Sequence, residues 1–481
     1  MELQDAILAV DRQVGDGAEA LVRGHHRRRL RKLGWGRALA PPAGDLWAHG
    51  DPPPREGCRL DVLIDGEEAL ARIAGELARA ESHVHLAGWF FSPHFRLAHD
   101  VVLRELLAEL AERVDVRVLV WAGAPLPLFH PSRAEVRVMR EELVRGTRIQ
   151  CALDARERPL HCHHEKLVVV DDRVAFVGGI DLTSFGGDRL DARGHPARGS
   201  LGWHDAATRL EGPAVADVAD HFRLRWREVA GVALTAPEPP PHAGDRTVQV
   251  ARTVPERIYH SLPRGDFRIA ESYLRALRSA QRLVYLESQF LWSPELVMIL
   301  AEKLRRPPTD EFRLVVLLPA RPNNGADETR GQLGVLAEAD AGAGRFLPCT
   351  LYQRGDDGGA EPVYVHAKIG IVDDEWLTLG SANLNEHSLF NDTELNVVCR
   401  DADIVRETRL RLWSEHLDRP VEEVSGEPAQ VVDELWRPVA EEQLRRREAE
   451  ARLTHNLLRL PHVSRRSRRL LGPLQGFVVD G

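Results

Sequence analysis

Apolar side chains along the first half of the chain switch repeatedly between helical and strand-like spacing. Between residues 67 and 79 they recur every three or four positions, at Leu70, Ile73 and Leu77, which predicts an amphipathic helix. Further runs of both kinds follow, as predicted strands at 83–91, 116–121 and 167–170 and a predicted helix at 101–113. Helices that alternate with short strands are typical of layered α/β folds, so we expect that class.

A proline-rich segment at 236–245 divides the chain, and the pattern restarts after it. Its prolines predict a stiff, extended linker outside any domain core. Helical and strand-like runs then return in the earlier order, at 269–279, 283–291 and 313–318. Leu286 and Phe290 repeat Leu86 and Phe90 at a distance of 200 residues. A period this long indicates two similar domains and not a solenoid.

The chain therefore divides into five predicted segments: a basic helical lead-in at 1–57, a first repeat at 58–235, the linker at 236–245, a second repeat at 246–420 and a basic helical extension at 421–481. Basic side chains cluster at 25–32 in the lead-in and at 445–469 in the extension. Such clusters form ordinary solvated helix faces, or they bind anionic lipid head groups, where each Lys or Arg contributes about 1 kcal/mol. Both interpretations stay open.

Each repeat contains one copy of the pattern H-x-K-x-x-x-x-D. The copies are His164, Lys166 and Asp171, and His366, Lys368 and Asp373. The two histidines are 202 residues apart, and a glycine follows each of them at the same interval, Gly178 and Gly380. One copy would be a weak signal. Two copies in register, one in each half, indicate a composite site at the contact between two domains related by a twofold.

The spacing within each copy predicts how its side chains are directed. Residues i and i+2 of a strand share a face, so His164 and Lys166 should point the same way, as should His366 and Lys368. The final aspartates, Asp171 and Asp373, have the opposite parity and stand at a strand end. Although they complete the motif that we take as catalytic, we expect them to brace the turn, or a neighbouring helix or loop.

Two imidazoles and two ammonium groups around one point suit a phosphodiester. The lysines neutralise the non-bridging oxygens, one neutral histidine attacks phosphorus to give a phosphohistidine, and the other protonates the leaving alkoxide. No metal or other cofactor is then required. Each histidine also needs an acceptor on its other ring nitrogen, and Asp205 and Glu394 stand at related places after the two motifs.

Composition narrows the class of protein. Charged residues make up 28% and the hydrophobic set 43% of the 481 residues, as in ordinary globular chains. A net charge of −9 disfavours a basic nucleic-acid binder. No apolar run approaches the ~18 residues of a membrane span, and the start of the chain lacks the pattern of a secretory signal. Five scattered cysteines predict a reducing compartment, so we expect a cytoplasmic location, with peripheral contact to anionic membranes as a further option. We also expect a monomer.

Taken together, the motifs resemble the phospholipase D superfamily over roughly residues 60 to 420, and within it true phospholipases D. The strings that carry the resemblance are HHEKLVVVD at 163–171, GGIDL at 178–182, WHD at 203–205, LEGP at 210–213, ESQF at 287–290, YVHAK at 364–368 and GSANLN at 380–385. The family implies two α/β/α sandwich domains around a pseudo-twofold, with the active site at their interface and a glycerophospholipid as substrate, hydrolysed or transphosphatidylated.

The resemblance also assigns roles. It implies that His164 is the nucleophile and His366 the general acid, that Lys166 and Lys368 hold the phosphate, and that Asp205 and Glu394 orient the histidines. The substrate-binding group comprises Asn383, Ser381, Gly179 and Asp181. Asp181 departs from many members, which have Asn there, and this puts its phosphate contact in question. The variant does occur in the eukaryote-like branch.

Several alternatives stay open. Cardiolipin synthases and other phosphatidyltransferases share the motif and use an alcohol in place of water, whereas nucleases of the superfamily favour basic surfaces. A scaffold with a dead site would have lost a His or Lys, and both copies are intact. A zinc site at 161–164 is disfavoured because strand parity separates His161 and His163 from His164. Trp203 and Phe290 are candidates for a substrate channel or for core packing.

Overall fold

The computed structural model describes residues 2–40, 44–126, 129–159, 161–184, 202–322, 326–355, 359–461 and 463. The chain begins with two helices, the long α1 (Glu2–Lys32) and the short α2 (Gly36–Leu39). Arginines of α1 form ion pairs with acidic residues of the second repeat, Arg27 with Glu295 at 2.7 Å and Arg29 with Glu256. The lead-in is therefore packed onto the body of the molecule.

The first repeat contains four helices, α3 (Asp65–Ala78), α4 (Leu103–Leu110), α5 (Arg133–Val144) and α6 (Val215–Ala230). Its strands are β1 (Arg55–Ile64), β2 (His83–Gly88), β3 (Arg96–Ala98), β4 (Val101–Val102), β5 (Asp115–Trp121), β6 (Gln150–Asp154), β7 (Leu167–Val170), β8 (Val174–Gly178), β9 (Gly202–His204) and β10 (Ala206–Glu211). Seven of them form one mixed sheet in the order β6-β5-β2-β7-β8-β10-β1. The strands β6, β5 and β2 are parallel, and the rest are antiparallel to their neighbours.

The second repeat contains α7 (Arg268–Ser279), α8 (Pro294–Arg305), α9 (Ala326–Asp340), α10 (Glu386–Phe390) and α11 (Ala402–Leu417). Its strands are β11 (Arg246–Val254), β12 (Asp266–Phe267), β13 (Leu283–Glu287), β14 (Arg313–Leu317), β15 (Phe346–Arg354), β16 (Ala360–Val365), β17 (Ile369–Val372), β18 (Trp376–Gly380) and β19 (Glu394–Cys399). The sheet order β15-β14-β13-β17-β18-β19-β11 matches the first repeat strand for strand. This equivalence confirms the predicted duplication and fold class.

The two sheets join at their edges and share one core. β1 pairs antiparallel with β11, which makes the sheets continuous. Alternate residues of each strand serve different cores: Leu167 and Val169 join a central core with side chains of both repeats, while Val168 and Val170 face an outer core. The central core also holds α6 and α11, and α3 to α5 and α7 to α9 cover the outer faces. Each sheet thus lies between helices, as expected for two α/β/α sandwiches.

The chain ends in a small helical addition with α12 (Val421–Val424), α13 (Pro428–Val431), a π-helical turn (Val432–Trp436), α14 (Arg437–Glu448) and the strand β20 (Leu457–Arg459). β20 extends the second sheet by pairing with β15, which the prediction of a purely helical extension missed. Arg446 of the basic cluster pairs with Glu442, while the arginines at 465–469 lie outside the described residues. No described helix has both the length and the apolar character needed to cross a bilayer.

Element boundaries differ from the sequence predictions in a consistent way. The predicted strands at 83–91 and 283–291 end at Gly88 and Glu287, and the apolar residues beyond them leave the sheet. The first repeat begins inside the predicted lead-in, because β1 starts at Arg55. Residues 236–244 adopt no regular secondary structure, and their role as a linker between domains stays a prediction. A run of apolar residues indicates which residues are buried, but buried residues continue beyond the last backbone hydrogen bond of a strand. The apolar pattern therefore overestimates the length of these strands.

Candidate active site

The two motifs enter the interface through backbone pairing between the repeats. β16, which leads into the second motif, pairs in parallel with β9 of the first repeat. The amides of His366 and Ala367 donate to the carbonyl of His204 at 2.8 and 3.1 Å. In the matching contact, the amides of His164 and Glu165 donate to the carbonyl of Thr393 at 2.8 and 3.1 Å. Each histidine is therefore held by the backbone of the opposite repeat.

His164 is oriented by a carboxylate from the second repeat. Its Nδ1 lies 3.1 Å from Glu394 Oε1 and 3.2 Å from the carbonyl of Ser381. Because both partners are acceptors only, Nδ1 carries the proton. The Glu394 carboxylate also accepts from the hydroxyls of Ser381 at 2.5 Å and Ser388 at 2.6 Å. These contacts fix the plane of the His164 ring.

His366 is oriented by a carboxylate from the first repeat. Its Nδ1 lies 2.7 Å from Asp205 Oδ2, and the side chain is 7% exposed. Asp205 is anchored in turn by Asp65 at the start of α3, since the Asp205 amide donates to Asp65 Oδ1 and the Asp65 amide to the Asp205 carbonyl. The indole of Trp203 packs 4.9 Å from the His366 ring. The sequence offered the two orienting carboxylates but not their crossed assignment.

The lysines of both motifs are buried in the same cluster. Lys166 Nζ donates to the carbonyl of His164 at 2.7 Å, and Lys368 Nζ donates to the carbonyl of His366. Burial lowers the pKa of Lys368 to about 7, and the like charge of Lys166 acts in the same direction. Asp205, Glu394 and Asp181 oppose this shift. The two halves of the site are brought together by the backbone contacts of His164 with Thr393 and of His366 with His204.

Gly179 and Ser381 occupy matching positions and both adjoin an orienting carboxylate. A Cβ on Gly179 would lie 2.1 Å from Asp205 Oδ1, so only glycine leaves room for that carboxylate. At the matching position the hydroxyl of Ser381 donates to Glu394. Their observed contacts support positioning of the carboxylates, whereas the substrate contact predicted for both residues stays a prediction.

Comparison with known proteins gives one family. The model described as "Cardiolipin synthase, PLD-like domain" matches residues 273–414. Phospholipase D A of Dictyostelium discoideum is 25% identical over 76% of this chain and 36% of its own length. Phospholipase D alpha 4 of Arabidopsis thaliana is 24% identical over 80% of this chain and 70% of its own, and the major cardiolipin synthase ClsA of Bacillus subtilis is 24% identical over 75% and 72%.

These matches support the phospholipase D superfamily as the group of proteins that the chain resembles. The chain spans little more than a third of the Dictyostelium relative, whose aligned share is 36%. Among solved structures, phosphatidylserine synthase of Haemophilus influenzae superposes with a TM-score of 0.49 and 12% identity, over 73% of this chain and 84% of that chain.

The departure from the superfamily pattern at Asp181 has a local explanation. Asp181 Oδ2 lies 3.4 Å from Lys166 Nζ, so the carboxylate forms an ion pair with the motif lysine of its own repeat. At the matching position Asn383 donates through Nδ2 to Gln289 Oε1 at 3.3 Å. Both residues line the buried cluster, and phosphate contact by either stays a prediction.

The closing aspartates of the superfamily motif lie at the far end of the strands, away from the histidines. Asp171 accepts from the backbone amides of residues 81–83, and Asp373 accepts in the same way from residues 281–283. Each is followed by a second aspartate, and both members of each pair have positive φ, between 54° and 56°. Their contacts support the bracing role, and no described contact joins them to the catalytic group in which we placed them.

Glu287 and two histidines form a buried cluster that sequence reasoning missed. His204 Nε2 lies 2.8 Å from one Glu287 oxygen, and His416 Nε2 lies 3.0 Å from the other. Burial would lower the pKa of His204, but Asp65 and Glu287 raise it well above its usual value. The backbone carbonyl of His204 accepts from the His366 amide, so the His204 residue lies directly next to the second motif histidine. The available signals were the strings WHD and ESQF, which contain His204 and Glu287.

The zinc interpretation of residues 161–164 does not match the geometry. His163 contacts Thr393 and Asp154, whereas His164 contacts Glu394. His161 turns to a third set of partners. Strand parity predicted this separation, although the regular strand β7 begins only at Leu167 and both residues precede it. Phe290 is fully buried, which favours packing over a channel wall.

Proposed function

We propose that the protein is a metal-independent phosphodiesterase of the phospholipase D type, which hydrolyses or transphosphatidylates glycerophospholipids through a phosphohistidine. The observation that carries the proposal is the pair of crossed contacts, His164 with Glu394 and His366 with Asp205. Each ties an imidazole of one repeat to a carboxylate of the other. Such pairs hold one ring tautomer and stabilise the imidazolium that forms during proton transfer.

The steps follow from this arrangement. Nε2 of His164 attacks phosphorus while Nε2–H of His366 donates its proton to the leaving alkoxide, so a P–N bond forms as the P–O bond to the head group breaks. His366, now neutral, then takes a proton from water or an alcohol, whose oxygen attacks phosphorus. The P–N bond breaks and His164 is restored. Lys166 and Lys368 neutralise the non-bridging oxygens throughout.

The acceptor in the second step separates the main proposal from its alternative. Similarity to the cardiolipin synthase ClsA and the match to a family model of that description favour a phosphatidyltransferase with an alcohol acceptor. Similarity to several phospholipases D favours water. Both routes share the phosphohistidine, so the first half-reaction is common to them.

Peripheral contact with anionic membranes is a further part of the proposal. Arg27 and Arg29 form ion pairs within the molecule, with Glu295 and Glu256 respectively. Three exposed basic residues of the same cluster face solvent along α1: Arg28, Arg31 and Lys32. Within α1, these three are the residues on which an attraction to lipid head groups would rest.

The test is turnover of phosphatidylcholine with a labelled phosphatidyl group, in the presence of a primary alcohol and without added divalent cation. Formation of phosphatidate and phosphatidyl-alcohol, together with an acid-labile label on His164 after quenching, supports the proposal. Turnover of DNA alone, or label on His366 in place of His164, would contradict it. Phosphatidylglycerol as acceptor distinguishes the synthase alternative by its product, cardiolipin.

A further inference from the structure

Two imidazoles and a carboxylate that phosphoryl transfer leaves unused meet beside the active site. His161 Nδ1 lies 2.8 Å from His387 Nδ1 and 3.3 Å from Asp392 Oδ1. The three candidate ligand atoms lie within 4.8 Å of one another. His387 and Asp392 are buried, while the His161 side chain is 12% exposed. The cluster is thus formed by both repeats and can be reached from solvent.

Asp392 is the member whose environment is incomplete. Its Oδ1 accepts from the Cys162 amide at 3.0 Å. Among the described residues its Oδ2 has no hydrogen-bond partner, although the residue is 0% exposed. A buried carboxylate oxygen without a partner is costly, by about 1–3 kcal/mol or more. A cation bound between the carboxylate and the imidazoles would remove that cost.

The Glu287 cluster shows what a completed arrangement looks like. There each histidine uses Nε2, and each meets a different carboxylate oxygen, at 2.8 and 3.0 Å. Its ligand atoms also lie within 4.8 Å of one another, but hydrogen bonds from both rings and from the Tyr285 hydroxyl satisfy the two carboxylate oxygens. In the cluster of His161, His387 and Asp392, by contrast, two ring nitrogens face each other and one carboxylate oxygen is left over.

We propose that His161, His387 and Asp392 bind one divalent transition-metal ion, with zinc as the best fit. Imidazole and carboxylate ligands suit zinc, and ligand atoms of a tetrahedral site with bonds near 2.0 Å lie about 3.3 Å apart. The observed separations are close to that value: 2.8 Å between Nδ1 of His161 and Nδ1 of His387, and 3.3 Å between His161 Nδ1 and Asp392 Oδ1. Three protein ligands leave the fourth position to water.

The role of the ion is to hold the interface and not to take part in the reaction. His161 precedes the nucleophile His164 by three residues, and Asp392 precedes Glu394 by two. Bound zinc would therefore join the two segments that carry the nucleophile and its orienting carboxylate. Zinc would lock this contact between the repeats, while the lysines still supply the charge at phosphorus.

Metal binding can be measured without any assay of activity. The full chain is stripped with a chelator, exchanged into metal-free buffer and titrated with zinc chloride by calorimetry, with metal content checked by mass spectrometry. The variants are His387→Ala and Asp392→Asn. The control is His94→Ala, which removes an exposed imidazole that also pairs with a carboxylate, Glu142 at 2.7 Å. Cobalt substitution adds visible bands that report nitrogen and oxygen coordination.

We expect the wild type to bind one zinc ion per chain. The affinity for zinc should fall by about 100-fold or more in either variant and stay unchanged in the control. Zinc should also raise the melting temperature of the stripped wild-type chain but not of the variants. If His387→Ala does not fold, His161→Gln, at the partly exposed position, decides the question. Absence of zinc binding in the wild type, or equal binding in the variants, would show that the three groups form hydrogen bonds only. Since no activity is measured, this outcome is independent of the proposed phosphodiesterase.

Discussion

The two repeats are alike on the side that faces the active site and different on the side behind it. Both present a histidine, a lysine and an orienting carboxylate from the opposite repeat. Behind the first motif, Glu165 forms a fully buried ion pair with Arg225 of α6. Behind the second, the matching residue is Ala367, which packs in the central core. The two repeats thus share the motif side chains but differ in the buried residues that pack behind them.

The charged support of the first repeat is a network. Arg225 also donates to Asp154 at 2.8 Å, and Tyr259 donates to the same carboxylate at 2.5 Å. Burial alone would raise the pKa of Asp154, but His163 and Arg225 hold it below its usual range. The second repeat places its buried charge elsewhere, at Glu287. The motif residues of the two repeats match, whereas the buried residues behind them differ. A substitution in one repeat can therefore be compared with the equivalent substitution in the other.

The largest expected effect separates the two histidines. His164→Ala should abolish turnover, by about 10⁶-fold, and no phosphoenzyme should form, because the nucleophile is gone. His366→Ala should cost about 10²–10⁴-fold with an ordinary head group and much less with p-nitrophenyl as leaving group, which needs no proton. Rapid-quench labelling measures both. Equal losses with both substrates in both variants would mean that the repeats do not divide the roles.

Exchange of the orienting carboxylates should come next in size. Asp205→Asn and Glu394→Gln keep the shape but permit the wrong tautomer of the partner ring, so each should lower kcat by about 10²–10⁴-fold with little change in KM. The crossed contacts make a sharper prediction. Asp205→Asn, in the first repeat, should impair the proton donor of the second repeat, and p-nitrophenyl substrates should rescue it more than they rescue Glu394→Gln. Rescue of Glu394→Gln alone would reverse the crossed assignment.

Much of this site follows from residue spacing, and the rest depends on contacts between distant segments. The duplicated motif predicted the two matching sheets and the meeting of the two motifs at the contact between the repeats. Parity also turned His163 away from His164. Nothing in the sequence near Asp65 marks it as the anchor of Asp205, because that contact depends on how α3 meets β10. Sequence spacing predicts on which face of a strand or helix a side chain lies. The residue that it contacts on that face depends on how distant segments pack together.

Disruption of the buried network should destabilise the first repeat more than the same change destabilises the second. Arg223 and Arg409 both pair with the second aspartate of their hairpin, Asp172 or Asp374. Two residues further along each helix stand Arg225, which is buried, and Arg411, which is 31% exposed. Arg225→Met should cost about 3–5 kcal/mol, because it leaves buried carboxylates unpaired, and Arg411→Met at most about 1 kcal/mol.

Urea denaturation followed by tryptophan fluorescence measures this difference. The double variant Glu165→Ala/Arg225→Met imitates the apolar back of the second repeat at position 165 and should regain part of the lost stability. Equal midpoints for Arg225→Met and Arg411→Met would show that the network contributes no more than a surface pair.

The smallest expected effect concerns the lysine with the shifted pKa. Burial lowers the pKa of Lys368 to about 7, so its charge is present below that pH and is lost as the pH rises. We expect kcat/KM to fall about fivefold between pH 7 and pH 8, and kcat to fall less, because bound phosphodiester favours the charged lysine.

Asn383→Asp would give Lys368 the kind of carboxylate neighbour that Asp181 provides for Lys166. The alkaline limb should then move to higher pH, whatever the loss in absolute rate, and Lys368→Arg should remove the limb because a guanidinium stays charged. An alkaline limb unchanged in both variants would assign it to a group other than Lys368.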